Sequence, residues 1–312
     1  MKILAITDTP QSAIFRMASV IQKYGNEIEM KIVAFHPKKP DQAQIKAVKT
    51  FFSWANVIDI QYWKSGAKIR EMMPDLWKTK NKVLTHHNPY NLHEEKWDDY
   101  KSIVVLNKTQ HKELPQAHWI PHCIDMNFFK FNENYTNNKL INMTVARIQG
   151  KKGIYPVAQA CHDLGYKLLV VGRIADPNYW NDVMKKFGKN IEFKENINDK
   201  ELLDCYYRSS IHVCNSVDFF ESGTLPILEA MSCGVPVVTR QIGHVPDIYN
   251  GQNLKLLSGQ PEDVDGIKNS LKELIDNLDL RKQMRIHAVE SIKDRNQERF
   301  AADYVNVYKS IA

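Results

Sequence analysis

No apolar run in this 312-residue chain approaches the ~20 residues that a membrane-spanning helix needs, so any membrane contact is expected to be peripheral. Cysteine is sparse. Cys123, Cys161, Cys205, Cys214 and Cys233 are odd in number and scattered without a CxxC pair, which argues against a disulfide framework or a zinc site. A reducing cytoplasm fits that usage, and the opening MKILAITDTP has Asp8 and Pro10 where a secretory signal needs an apolar core. There is no low-complexity tract and no repeat with a period of 20 to 50 residues, which excludes solenoids. GxxxxGK[ST] is also missing, so the chain has no P-loop of that type.

What is present is enough for two ordinary domains, each with its own core. Short apolar runs alternate with helical stretches: KILAIT, a helix over about Ser12 to Tyr24, then EMKIVAF, NVIDI, KVLTHH and SIVVL. A second series runs LINMTVAR, KLLVVGR, NIEFKE, IHVCNS, VPVVTR and NLKLL. Such alternation predicts α/β architecture, with parallel sheets covered by helices on both faces. Between the two series lies PHCIDMNFFKFNENYTNNK, rich in Asn and poor in aliphatics, which marks a boundary. The expected division is residues 1–130, 131–295 and a last helical segment, 296–312.

The net charge of +6 is unevenly spread. Residues 1–130 hold 19 Lys+Arg against 13 Asp+Glu, and residues 36–82 alone hold ten against four. That stretch interleaves Phe51, Phe52, Trp54, Trp63 and Trp77 with its lysines, a mixture that an anionic membrane surface or an acidic acceptor would select. Solvated helix faces over core aromatics would read the same way.

The densest chemistry lies in DFFESGTLPILEAMSCGVPVVTRQIGHVPDI. Glu221 stands in a loop of small residues, Ser222, Gly223 and Thr224, and Glu229 stands eight positions later inside a helix expected to start near Thr224, with Pro226 in its first turn. The unpaired amides of that helix end attract an anion such as a diphosphate. The two carboxylates would repel it and are better used as acceptors for sugar or ribose hydroxyls. This segment resembles the donor-site signature of retaining GT-B glycosyltransferases of glycosyltransferase family 4. Glu221, Glu229, Ala230-Met231, Gly234, Pro236-Val237-Val238, Gly243 and Pro246-Asp247 fill its places, while Ser222-Gly223-Thr224 replaces the usual Gly-Phe-Gly and His244 replaces a glycine. Ile120-Pro121-His122-Cys123-Ile124-Asp125 with Phe129 is similar to the family's interdomain segment, with His-Cys in place of Asn-Gly.

The resemblance implies a GT-B fold: two doubly wound Rossmann-like domains facing a central cleft, the acceptor on residues 1–130, the nucleotide-sugar donor on 131–295, and 296–312 crossing back to the first domain. TVARIQGKKGI is similar to the family's V-G-R-x-x-x-x-K-G, so Arg147 and Lys152 would neutralise the leaving diphosphate. KVLTHHNPYN resembles T-x-H-D, which makes His87, with His86 as rival, the histidine against the transferred sugar. Glu221 completes the catalytic set by holding sugar hydroxyls. Glu229 holds ribose, and Ser222, Gly223, Thr224, Leu225, Gly172 and Arg173 complete the donor-binding set. The family's glycine pair after the first strand is missing, and Ser12 in Asp8-Thr9-Pro10-Gln11-Ser12 is left to cap the helix and offer a hydroxyl from the N-terminal domain. His86, His87 and His93 lack a recognised metal spacing, and Asp263-Val264-Asp265 reads as a helix cap rather than a metal-binding DxD.

The implied reaction moves a sugar from a nucleoside diphosphate to an acceptor hydroxyl with retention, and it needs neither cofactor nor metal. The acceptor is open and includes acidic or lipid-linked molecules, with the membrane surface as a cytoplasmic workplace. Two alternatives differ in class: a nucleic-acid-binding protein or DNA-modifying glycosyltransferase, supported only by the basic stretch, and a non-catalytic sugar-nucleotide binder.

Overall fold

The computed structural model describes residues 1–10, 12–88, 97–135, 137–217 and 221–312. The chain forms two compact units, Met1–Cys123 with Arg295–Ala312, and Ile124–Asp294.

In the first unit the order is β1 (Lys2–Thr7), α1 (Ala13–Tyr24), β2 (Glu29–Ala34), α2 (Gln42–Trp54), β3 (Val57–Ile60), α3 (Trp63–Met72), α4 (Pro74–Trp77), β4 (Asn81–His86), β5 (Ser102–Val105), α5 (Lys108–Glu113) and β6 (His118–Trp119). The strands form one parallel sheet in the order β2-β1-β3-β4-β5-β6. After Lys2 every residue of β1 is buried, as are all four of β3 and of β5, because helices cover both faces. Ser12 caps α1 by accepting from the Phe15 amide at 3.0 Å, and Asp41 with Gln44 forms a capping box on α2. The aromatics of the basic stretch face inward. Phe52 and Trp77 are buried, and Phe51, Trp54 and Trp63 pack against the same core. Lysine, not aromatic surface, is what this stretch shows to solvent.

The second unit runs β7 (Leu140–Ile148), α6 (Ile154–Asp163), β8 (Lys167–Ile174), α7 (Pro177–Phe187), β9 (Ile191–Lys194), α8 (Asp199–Tyr207), β10 (Ile211–Cys214), α9 (Leu225–Ser232), β11 (Val237–Thr239), α10 (Val245–Ile248), β12 (Lys255–Leu256), α11 (Val264–Asp276) and α12 (Leu278–Ile292). Its parallel sheet is ordered β12-β11-β10-β7-β8-β9. The chain leaves β7 in one direction through β8 and β9 and returns to the other side through β10, β11 and β12. The order therefore reverses between β7 and β10, the kind of switch point at which open α/β sheets bind ligands beyond the strand ends. Asp263 caps α11 by accepting from the Gly266 amide at 2.9 Å. The segment 124–135 packs on the second unit: the Ser232 hydroxyl donates to Phe129 O at 2.5 Å, and the Arg285 guanidinium lies over the Tyr135 and Phe131 rings.

The last helix, α13 (Gln297–Ile311), belongs to the first unit and packs on α1. Its Tyr304 and Tyr308 are fully buried there.

Candidate functional site

In the second unit the predicted residues gather at the ends of the two strands where the sheet order reverses. Arg147 lies one residue from the end of β7, past an irregularity after Thr144, and pairs in register with Arg173 of β8. Neighbouring strands run about 5 Å apart, so two exposed guanidinium side chains leave the sheet side by side. Such a like-charge pair favours an anion between or above it. Gly172 makes the approach of the two strands possible, since a Cβ there would come to 2.2 Å from Val145 O.

After β7 the chain makes a 3₁₀ turn over Gly150–Lys152, and Gly153, at φ 64°, redirects it into α6. A side chain at 153 would strike Asn215 O at 2.4 Å, so only glycine lets this turn sit against the end of β10. That contact sets the lysine. Lys152 forms an ion pair with Glu221, the two side chains being 13% and 11% exposed, while Lys151 is exposed to solvent. Lys152 and Glu221 meet because the loops after β7 and β10 leave adjacent strands. The two charges neutralise each other.

Glu221, Ser222 and Gly223 lead into α9, and the backbone at Gly243 lies close against them. Thr224 occupies the N-cap of α9 but makes no side-chain cap bond. The residue is 4% exposed, and among the described residues its Oγ1 has no hydrogen-bond partner. A buried donor left open at a helix N-terminus is a place for an acceptor from outside the chain. Leu225 follows, packed against the core of the unit. Glu229, 9% exposed, accepts from the Tyr206 hydroxyl at 2.7 Å through Oε2.

Sequence reasoning missed the frame behind the site. Asn215 donates from Nδ2 to Gly153 O at 3.2 Å and to Pro261 O at 2.9 Å, and its Oδ1 accepts from Arg240 Nε at 2.7 Å. Arg240 also donates to Gly259 O at 2.6 Å and Gln260 O at 2.5 Å. This buried fork ties the Gly153 turn to the 259–261 loop. A polar residue directly after the apolar run IHVC was the available signal.

In the first unit His86 and His87 part company. His86 is buried, with Nδ1 2.9 Å from Asn88 O and its ring against Trp97. His87 is half-buried, stacked on His122 at 5.7 Å, with Nε2 2.9 Å from Gln61 Oε1. Gln61 in turn donates from Nε2 to Asp59 Oδ2 at 2.8 Å, and Tyr308 donates to the same oxygen at 2.7 Å. An ionised carboxylate only accepts, so Gln61 turns its amide nitrogen to Asp59 and its oxygen to His87, which places the imidazole proton on Nε2. Burial holds the His87 ring well below its ordinary pKa, with His122 next in effect, so it is neutral. Burial likewise pushes Asp59 up to about 6 and His122 down to about 4. Ser12 donates to Asp8 Oδ1 at 2.5 Å as well as capping α1. His93 lies outside the described residues, among which no cluster of metal-ligating side chains occurs.

Comparison with known proteins adds the family. Residues 125–290 match the model described as Glycosyl transferases group 1. The O-antigen chain mannosyltransferase B of Escherichia coli is 32% identical over 91 residues, 29% of this chain and 23% of that protein, so the chain spans about a quarter of that relative. Among solved structures, sucrose-phosphate synthase from Thermosynechococcus elongatus superposes with a TM-score of 0.79 at 16% identity, covering 99% of this chain and 98% of that one. Anabaena Alr3699/HepE in complex with UDP gives 0.76 at 14% identity, covering 99% and 100%. At such identities the likeness establishes the GT-B fold and no more.

Proposed function

Because the chain belongs to the Glycosyl transferases group 1 family, we propose that it transfers a sugar from a nucleoside-diphosphate sugar to an acceptor hydroxyl, with retention at the anomeric carbon, as in glycosyltransferase family 4. The observation that carries this reading is the gathering, near the switch point, of an in-register arginine pair, a partly buried lysine and a helix N-terminus whose Thr224 hydroxyl has no partner among the described residues. Each favours an anion, and the three together match a diphosphate.

In this reading Arg147, Arg173 and Lys152, with the amides from Ser222 to Leu225 and the Thr224 hydroxyl, take the charge that accumulates as the bond to the sugar breaks. Fixed donors aimed at developing charge stabilise the transition state more than the ground state. Glu221 accepts from sugar hydroxyls, and its ion pair with Lys152 keeps both side chains extended toward the ligand. Glu229 accepts from the ribose. His87, neutral with its proton on Nε2, is the imidazole that faces the sugar, in preference to the buried His86. The acceptor proton leaves to a donor phosphate oxygen on the same face of the ring. With cationic side chains on the diphosphate, no metal is required. The complex of a fold neighbour with UDP supports a nucleotide donor, and the mannosyltransferase relative supports a hexose.

We place the reaction in the cytoplasm, with the exposed lysines Lys46, Lys49, Lys64 and Lys78 available to an anionic membrane or a lipid-linked acceptor. The test is release of nucleoside diphosphate from UDP-, GDP- and ADP-sugars, measured with and without EDTA and followed by NMR of the product anomer. Turnover of at least one donor with retained configuration is expected. No turnover and no hydrolysis of any donor would overturn the proposal.

A further inference from the structure

Glu229 sits in a helix whose residues from Ile227 to Ser232 are all buried, a poor environment for a carboxylate. One group that holds it there comes from α8. Tyr206, the last but one residue of that helix, is 0% exposed and donates to Glu229 Oε2 at 2.7 Å, with Pro226 O a distant 3.4 Å from the same hydroxyl. Its ring is fixed edge-on by His212 at 5.9 Å and Phe129 at 6.2 Å, and His212 is itself tied through Nδ1 to Asn142 Oδ1 at 2.7 Å. The phenol has no freedom to follow a moving carboxylate, so the carboxylate must stay where the phenol points.

A phenol donating into one carboxylate oxygen does two things. It fixes the plane of the group, and it directs the lone pairs that an incoming hydroxyl meets. A vicinal ribose diol is sensitive to that plane, because both hydroxyls must find acceptor directions at once. A 2′-deoxyribose makes only one such demand. We propose that Tyr206 is a positioning residue that makes the donor site selective for ribose over 2′-deoxyribose, by holding the Glu229 carboxylate in the orientation a diol requires. The inference rests on the reading of Glu229 as the ribose acceptor. The phenol keeps the proton it donates, because burial first, and the neighbouring Glu229 second, push its ionisation well above the ordinary tyrosine range.

The experiment compares nucleotide affinities by calorimetry, using whichever of UDP, GDP and ADP binds the native protein tightest, together with its 2′-deoxy counterpart. Native protein should prefer the ribonucleotide by about 10–100-fold, the worth of one hydrogen bond to a charged group. Tyr206→Phe keeps the ring and its packing. It should lower that preference at least fivefold by weakening the ribonucleotide, with deoxyribonucleotide affinity unchanged within twofold. Glu229→Gln is the control for the underlying reading. Lost preference in Glu229→Gln but full preference in Tyr206→Phe overturns the role of Tyr206 alone, whereas full preference in Glu229→Gln overturns the assignment of Glu229. Equal weakening of both nucleotides in Tyr206→Phe makes the tyrosine a mere packing residue and also overturns the proposal. Should Tyr206→Phe not fold, 3-fluorotyrosine placed at 206 alone retains the shape and changes the donor strength. A shifted preference then supports the proposal and an unshifted one refutes it.

Discussion

Replacing Thr224 by valine should make the protein more stable and its nucleotide binding weaker, a pairing of signs that ordinary cap residues do not give. A threonine at an N-cap normally bonds a backbone amide of the first turn, and its loss costs about 1 kcal/mol. Thr224 makes no such bond, is 4% exposed, and its Oγ1 meets no acceptor among the described residues. Its hydroxyl therefore carries a desolvation cost of roughly 1–3 kcal/mol that nothing among the described residues offsets. Valine has nearly the same shape and no hydroxyl. Taking the low end, a gain of about 1 kcal/mol corresponds to a rise in Tm of roughly 2–4 °C. When a diphosphate arrives, the native hydroxyl gains a charged acceptor worth about 1.5–3 kcal/mol, so valine should weaken nucleoside diphosphate binding by about 10–100-fold. Differential scanning calorimetry and titration calorimetry on one preparation read both effects. A fall in Tm of 2 °C or more would mean that the hydroxyl caps the helix after all. Unchanged affinity would mean that no phosphate reaches it, and either result refutes the reasoning.

Glu221→Gln should separate binding from turnover: sugar transfer falls by orders of magnitude, while the product nucleoside diphosphate binds as well or better, because Lys152 is released and a repelling charge is gone. At about 6–10 Å and an effective dielectric near 20 that charge is worth on the order of 2–3 kcal/mol, and equilibrium dialysis against product measures it. Lys152→Met should do the reverse and weaken the product by about tenfold or more; a tighter complex would contradict the pairing. Asp59→Asn should change stability with a definite pH dependence. Burial raises the native pKa from 3.8 to about 6, so the native state holds this proton more tightly than the unfolded chain, and the stability present below about pH 4 is lost as pH rises through 6. The variant should therefore gain up to about 3 kcal/mol over native protein at pH 7.5 and show no gain near pH 4, by urea unfolding. His122 and His212, lowered to about 4 and about 3, and His87, also lowered and tied to Asp59 through Gln61, act in the opposite direction below pH 6.5, so the gain at pH 7.5, where imidazoles are largely neutral folded or unfolded, is the one that isolates Asp59. A gain that is the same at both pH values would show that the carboxylate is ionised throughout.

The strands were legible because most are short runs of β-branched and aliphatic residues buried on two faces, which composition alone exposes. β6, two exposed residues at a sheet edge, carries no such signal and was missed. The motif around Glu221 and Glu229 was legible as a local spacing, and the cap role of Asp263 followed from its place before a helix. Contacts that depend on strand order were not. Lys152 and Glu221 stand 69 positions apart and meet only because β7 and β10 are neighbours. The same holds for Tyr206 with Glu229 and for the Asn215–Arg240 fork. The aromatics between residues 36 and 82 fitted two readings because a count of charges does not say which way a ring points. Packing turned Phe52 and Trp77 inward and left Lys38, Lys39, Lys46, Lys49, Lys64 and Lys78 outside, while Lys82 is itself buried.

The account stands on a diphosphate held at the switch point of the second unit, and titration of UDP, GDP and ADP into the native protein and into a double Arg147→Ala, Arg173→Ala variant tests it most directly. At least one nucleotide should bind the native protein, with affinity falling as salt rises and dropping by about tenfold or more in the variant. Binding of equal strength in both proteins, or no binding of any of the three to the native one, would contradict it.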